Sequence, residues 1–394
     1  MSSKTKAREP ESEIVTNTRQ TKTNQQQSSR RRRGPRLLLI LLSILALIAL
    51  LHFIAVTHFS DSAALPSNCN ELIRTTDYTQ VVHLQSASQQ MQAVQFVSQL
   101  TNGQPAALVQ VMNNGPQSEL DVYIYGCTMQ QQGPKLDTLF AQQGLVQGTA
   151  GISQANTLIT GELDTKLTTQ DSLLGQPLQQ NIYQEYAWQN SSFVQVAFPG
   201  LYPVASRGEA EQLQQQADAG QPMPWSDPLT TAELMAKDVL KWPETSPEDK
   251  VLSNDGVSAQ VLLISQQPHL EVTVSLTRLV QHDNTGLWFV TGARTPGLTL
   301  SQPQTHFVTS PIIISGTGAL TDGLLTATVS DHTLTPIASV DNTELSVDAS
   351  GGYTGALFYT SIVPKQQGLL LVQSLPKAKS TETGLLLLMG VILE

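Results

Sequence analysis

Residues 311–323 read PIIISGTGALTDG, an apolar run that enters a pair of glycines, Gly316 and Gly318. A phosphate-binding loop begins the same way, so the stretch decides between two folds. A dinucleotide fingerprint needs glycine at its first, third and sixth positions, then a helix whose N-terminus faces the pyrophosphate. Here the sixth position is Thr321, Asp322 and Gly323 follow, and the chain continues as LLTATVS, which alternates like a strand. No lysine is placed for a P-loop. The stretch predicts two strands, with the glycine pair at the close turn off the first, and argues against a nucleotide site.

Working outward, residues 305–394 carry no helix signal. They break into PIIISGTG, LLTATVS, ELSVDA, YTGALFYTSI, GLLLVQSL and GLLLLMGVIL, separated by turn residues. Six or seven short strands in such a length predict an immunoglobulin-like β-sandwich. The terminal LLLLMGVIL is too short to cross a membrane and reads as a core strand. Ser310, Pro311, Ser315 and Gly316, the Gly351-Gly352-Tyr353 turn, and Gly368, Leu370, Val372 and Ser374 give this region its character. It resembles the Gmad-type immunoglobulin-like domain of bacterial spore-germination and envelope proteins. It departs from that family at SLPKAKSTETG, where a charged loop is usual. The resemblance implies an extracytoplasmic binding or spacer module with no catalytic residues, and a link to sporulation or germination.

Upstream, residues 229–300 read as a helix, TTAELMAKDVLKW, followed by the strands VSAQVLLI, LEVTVSLTRLV and LWFVTGA. Thr230 and Glu233 fit a capping box, and Leu234, Val239, Leu240 and Trp242 are placed for burial. A helix followed by three antiparallel strands is similar in pattern to cystatin-like and nuclear-transport-factor-like sheets. Residues 201–228 predict a helical linker, capped at Ser206 and Glu209, with a Pro-rich end. Residues 68–200 predict an α+β module. AALVQVM and LDVYIYGC form one hairpin, IYQEYAWQNSSFVQVAF a second, ANTLITGELD a further strand, and PKLDTLFAQQG a helix between Pro134 and Gly144.

Residues 37–57 begin with LLLILLSILALIALLHFIAV, in which only Ser43 and His52 are polar. At about 1.5 Å per residue such a run spans a hydrocarbon core of roughly 30 Å, which predicts a single transmembrane helix contacting the lipid bilayer. The alternative is a cleaved secretory signal, with Ser62 and Ala64 placed like a cleavage site. Residues 1–36 are polar and basic and predict a disordered cytoplasmic tail, with Arg30, Arg31, Arg32 and Arg33 facing anionic lipid headgroups. Of 22 Lys and Arg, ten fall in residues 1–59 against three of the 32 acids, so the 12 and 29 that remain leave residues 60–394 at net −17. The predicted topology is N-terminus inside, with an acidic body outside. Cys69 and Cys127 then lie in an oxidising compartment and predict one disulfide, with two separate thiols as the alternative.

Catalytic motifs are not found. The seven histidines show no zinc-helix spacing, no G-x-S-x-G elbow or S-x-x-K nucleophile occurs, and no cofactor is indicated. Glu244, Glu248 and Asp249 in PETSPEDK do not follow a calcium-loop pattern and read as a solvated face. Tyr183, Tyr186, Trp188, Phe193, Tyr202 and Trp225 concentrate near one hairpin, and form a candidate binding surface if exposed as stacking platforms for a protein or glycan partner. The sequence thus predicts a single-pass, membrane-anchored binding or scaffold protein of a bacterial envelope. The alternative is an envelope enzyme acting on wall polymer or glycan through acids such as Glu185 or Asp227, which would have to stand about 5 to 9.5 Å apart.

Overall fold

A computed structural model describes residues 67–84, 87–165, 181–244, 246–266, 269–319, 324–337, 344–361, 363–375 and 384–394. The first four strands form an antiparallel sheet in chain order: β1 (Gln89–Phe96), β2 (Ala106–Asn113), β3 (Glu119–Gln130) and β4 (Gly133–Val146). A second such sheet holds β5 (Thr149–Ile152), β6 (Leu158–Leu163), β7 (Asn181–Gln189) and β8 (Ser192–Val196). Leu108, Val122, Ile124, Leu158 and Tyr186 pack in one core between the two.

Both hairpins expected here are present. β7 and β8 turn through Asn190 and Ser191, both left-handed at φ of 49° and 64°, the conformation a two-residue hairpin loop requires. PKLDTLFAQQG is not a helix; it lies in β4 and pairs with β3 on both sides of an irregularity at Leu139. The reason is a bulge. Ile124 pairs with Phe140 and Tyr125 with Thr138, so Leu139 is the extra residue. That insertion sets Leu136, Leu139 and Phe140 at the spacing of a helical stripe.

The other face of the first sheet is covered by two short helices, α1 (Cys69–Thr75) and α2 (Tyr78–Val81). Ile73 and Tyr78 pack there on Ala107, Val109, Val111 and Tyr125. Asn68 caps α1 by accepting from the Glu71 N–H at 2.9 Å. The predicted disulfide is formed: Cys69 is bonded to Cys127, tying α1 to β3.

Two longer helices follow, α3 (Arg207–Asp218) and α4 (Pro228–Asp238). Ser206 caps α3 as expected, whereas Asp227, not Thr230, caps α4 by accepting from the Thr230 N–H at 2.9 Å. α4 buries Thr231, Ala232, Met235 and Ala236, while Leu234, Val239, Leu240 and Trp242 are only partly covered. It lies against β10 (Ser258–Gln266), β11 (His269–Thr277) and β12 (Phe289–Arg294), with β9 (Lys250–Asn254) at the sheet's edge.

This sheet continues through the C-terminal strands. β20 (Leu385–Leu393) pairs with β12, β19 (Gln366–Leu375) with β20, β16 (Leu324–Ser330) with β19, and β14 (Phe307–Val308) runs parallel beside β20. Residues 229–300 and 305–394, read from the sequence as successive modules, therefore share one sheet. Facing β16, β19 and β20 is a four-stranded sheet ordered β13 (Leu298–Gln302), β15 (Ile312–Gly318), β18 (Gly352–Leu357) and β17 (Ser346–Val347). Ile312, Ile314, Leu325, Val329, Val372 and Val391 fill the space between them. Gly316 sits inside β15 rather than at a turn. A Cβ there would lie 2.0 Å from the Thr299 carbonyl oxygen and 2.4 Å from the Tyr353 hydroxyl, so only glycine lets the strand pass.

Two parts of the expected fold class need correction. The described residues are mostly β-sheet with few helices, not a series of α+β modules. The tail 1–36, with Arg30 to Arg33, and the span 37–57 lie outside the described residues, so the structure gives no support to an N-terminal transmembrane helix. Among the described residues no helix is long and apolar enough to cross a membrane. The longest, α3, has 12 residues and a polar surface, against the roughly 20 apolar residues a span needs. Residues 66–394 form one compact unit.

Candidate functional site

The six aromatics expected to form a binding surface are divided among three places, four of them buried and Trp188 and Phe193 half-buried. Tyr186 is buried in the first core, edge-on to Phe140 at 4.8 Å, with half-buried Phe193 and Trp188 in contact behind it. Tyr183 is buried on the opposite face of β7 and accepts from Gln212 Nε2 of α3 at 2.8 Å. Gly208 lets α3 come this close, since a Cβ there would stand 2.5 Å from the Tyr183 ring. Tyr202 and Trp225 are buried in the core beneath α4. The Tyr202 hydroxyl donates to Asp238 at 2.7 Å, and burial pushes its pKa upward. Tyr183 and Tyr186 are both core because β7 is covered on both sides there, by α3 and by the facing sheet, so alternation leaves neither ring in water.

The acids of the enzyme alternative are also committed to structure. Glu185 is 5% exposed and accepts from Arg207 Nε at 2.6 Å and from the Thr157 hydroxyl at 2.7 Å. Its Oε2 accepts no hydrogen bond among the described residues. Asp227 is an exposed helix cap on α4. Glu211 of α3 accepts from the Gln154 N–H at 2.9 Å. Among the described residues no group of three or more His, Cys, Asp or Glu could hold a metal ion.

A different place offers a concave surface. A cavity of about 500 Å³ lies on the flank of α4, within the size range of small-ligand pockets. Thr230, Glu233, Leu234 and Lys237 line it from the helix, and Leu263 from β10. The remaining wall is Trp242, Pro243, Glu244 and Asp249 from the segment after α4. That segment folds back because Lys241 adopts a left-handed conformation, φ 59°, and the Trp242 N–H donates to Ala236 O at 3.1 Å. Lys241 Nζ donates to Asp238 O at 2.6 Å, closing the helix end.

Asp249 is fixed in this wall by its own loop and the neighbouring strand. Oδ2 accepts from the Ser246 N–H at 2.9 Å and Oδ1 from the Ile264 N–H at 2.7 Å. Burial, then the charges of Asp249 and Asp227, push the Glu233 pKa above the usual carboxylate range. The acids of PETSPEDK, read from the sequence as a solvated face, thus contribute Glu244 and Asp249 to a cavity. The signal present in the sequence was Trp242-Pro243 immediately before the acids, after a helix whose apolar side was already filled.

One further charged side chain is buried. Arg278, 7% exposed, lies over the Trp288 ring at 4.7 Å, and its Nε and Nη1 have no hydrogen-bond partner among the described residues. The ring face supplies the counter-field that a desolvated guanidinium needs. Compared with known proteins, the chain matches no family model and has no significant similarity to a curated protein.

Proposed function

We propose that this chain is a non-enzymatic binding or scaffold protein working outside the cytoplasm, at a bacterial envelope. The observation that carries this reading is the α4 cavity, where an aromatic residue, apolar walls and carboxylates, one of them held by two backbone N–H groups, line one concave surface. The Cys69–Cys127 disulfide supports an oxidising compartment. The resemblance of residues 310–374 to the Gmad-type domain supports the envelope and a role in sporulation or germination. Glu185 and Asp227, the acids of the enzyme reading, each accept hydrogen bonds that serve the fold.

Trp242 provides a reporter for the test. The full chain is titrated with soluble cell-wall fragments and with peptides from digested envelope proteins, following tryptophan fluorescence against a Trp242→Phe control. A saturable change that disappears in Trp242→Phe and in Thr230→Trp, which fills the cavity from the exposed first turn of α4, is the expected result. A response that survives Thr230→Trp, or no response to either class, rejects the cavity as the binding site.

A further inference from the structure

The walls of the α4 cavity divide by chemistry. Leu234, Leu263 and Trp242 give an apolar floor and an aromatic face, whereas Glu233, Glu244 and Asp249 set three carboxylates against the one ammonium of Lys237. Lys237 stands four residues after Glu233 on the same helix face, where an exposed pair attracts only weakly. The cavity is therefore short of positive charge by two. Asp249 cannot rotate away from it, because both its oxygens are held by backbone N–H groups at 2.9 and 2.7 Å. An aromatic ring beside carboxylates suits an organic cation: the ring face attracts the charge, the carboxylates accept its hydrogen bonds, and the apolar floor covers its methylene stem.

The chain next to Asp249 adds the second half of the surface. It enters β9, the edge strand, whose five residues are all exposed, with Val251 at 40% and Leu252 at 49%. Leu252 falls at a register shift against β10, and Lys250 begins the strand. A bulge and a lysine blunt an edge against simple strand addition, so a partner would engage it through side chains.

We propose that the cavity, on the reading that it is the binding site, accepts the Lys or Arg side chain of a partner polypeptide whose adjoining apolar residues rest on Val251 and Leu252. The body's net charge of −17 over residues 60–394 favours approach of such a basic segment.

The full chain is titrated with four labelled peptides that share a Gly-Leu-X-Leu-Gly frame, with X as lysine, arginine, norleucine or citrulline. The charged pair is expected to bind about tenfold or more tighter than the neutral pair, the worth of one charge-assisted hydrogen bond. The gap should close in Glu233→Gln/Glu244→Gln, and Val251→Ser/Leu252→Ser should weaken all four peptides. Equal binding of all four that is lost in Thr230→Trp overturns the cation assignment and leaves the cavity reading standing. Binding indifferent to Thr230→Trp, or no saturation by any peptide up to the millimolar range, overturns both.

Discussion

Glu209 carries a physical consequence out of proportion to its place in the sequence. It stands at the third position of α3, where Ser206 donates its hydroxyl to Oε2 at 2.7 Å and accepts from the Glu209 N–H at 3.3 Å. Burial of the carboxyl pushes its pKa up to about 7, against the lowering effect of the Ser206 hydroxyl. Between the ordinary value of 4.5 and about 7 the folded chain holds a proton that the unfolded chain has released. The stabilisation linked to that proton is complete below 4.5 and is lost as pH rises through about 7. The full shift corresponds to at most about 3 kcal/mol, and the side chain keeps an edge in solvent, so a smaller effect is expected. Glu209→Gln retains a residue suited to the capping position and removes the titration. Denaturant melts at pH 5 and pH 8 should show the variant gaining stability relative to the parent at the higher pH. An equal difference at both values would show that Glu209 titrates like an exposed acid.

At the scale of elements, the disulfide gives a direct test of how α1 and α2 are held. Cys69 and Cys127 are 58 residues apart, and closing such a loop stabilises by about 4 kcal/mol in the chain-entropy model. Both cysteines are half-buried, so a reductant reaches them. Reduction, or Cys69→Ser/Cys127→Ser, is expected to lower the denaturant midpoint and to raise amide exchange first over residues 69–81. An unchanged midpoint would mean that Ile73 and Tyr78 alone secure the helices. Elements with an undisturbed period were legible in the sequence, including β2, β3, the β7–β8 hairpin, α3, α4, β10 and β11, and β12 was legible despite the extra residue at Thr291. β4 was not, because the bulge at Leu139 converts a period of two into spacings of three and four. The cavity was not legible for a different reason. Leu263 reaches it from β10, fourteen residues beyond Asp249, and only the turn at Lys241 brings Trp242 back to the helix. Such proximity is a property of the folded chain, and no local pattern encodes it.

For the molecule as a whole, β20 is the strand on which the C-terminal half depends. Leu386 and Leu388 point into the core beneath α4, with Trp288, Trp225 and Tyr202, while Leu385, Val391 and Leu393 point into the core of the two facing sheets. β19 is divided in the same way, Leu369 to one side and Leu370 and Val372 to the other. A strand buried on both faces needs apolar residues at every position, which is why LLLLMGVIL has no alternation. The two cores then share a wall, and close packing transmits the loss of either across it. Val391→Ala removes two methyl groups from the side away from Trp288 and should cost roughly 2 kcal/mol. Trp288 and Trp225 report on the other core, so their fluorescence transition should shift to lower denaturant by the same amount as the far-ultraviolet signal. Leu386→Ala, on the tryptophan side, should lower both signals together and by more, within about 2–5 kcal/mol. If Val391→Ala moves the far-ultraviolet transition and leaves tryptophan fluorescence in place, the cores unfold independently and β20 is a boundary between domains. A coincident shift makes the final nine-residue strand a condition for folding everything from α4 onward.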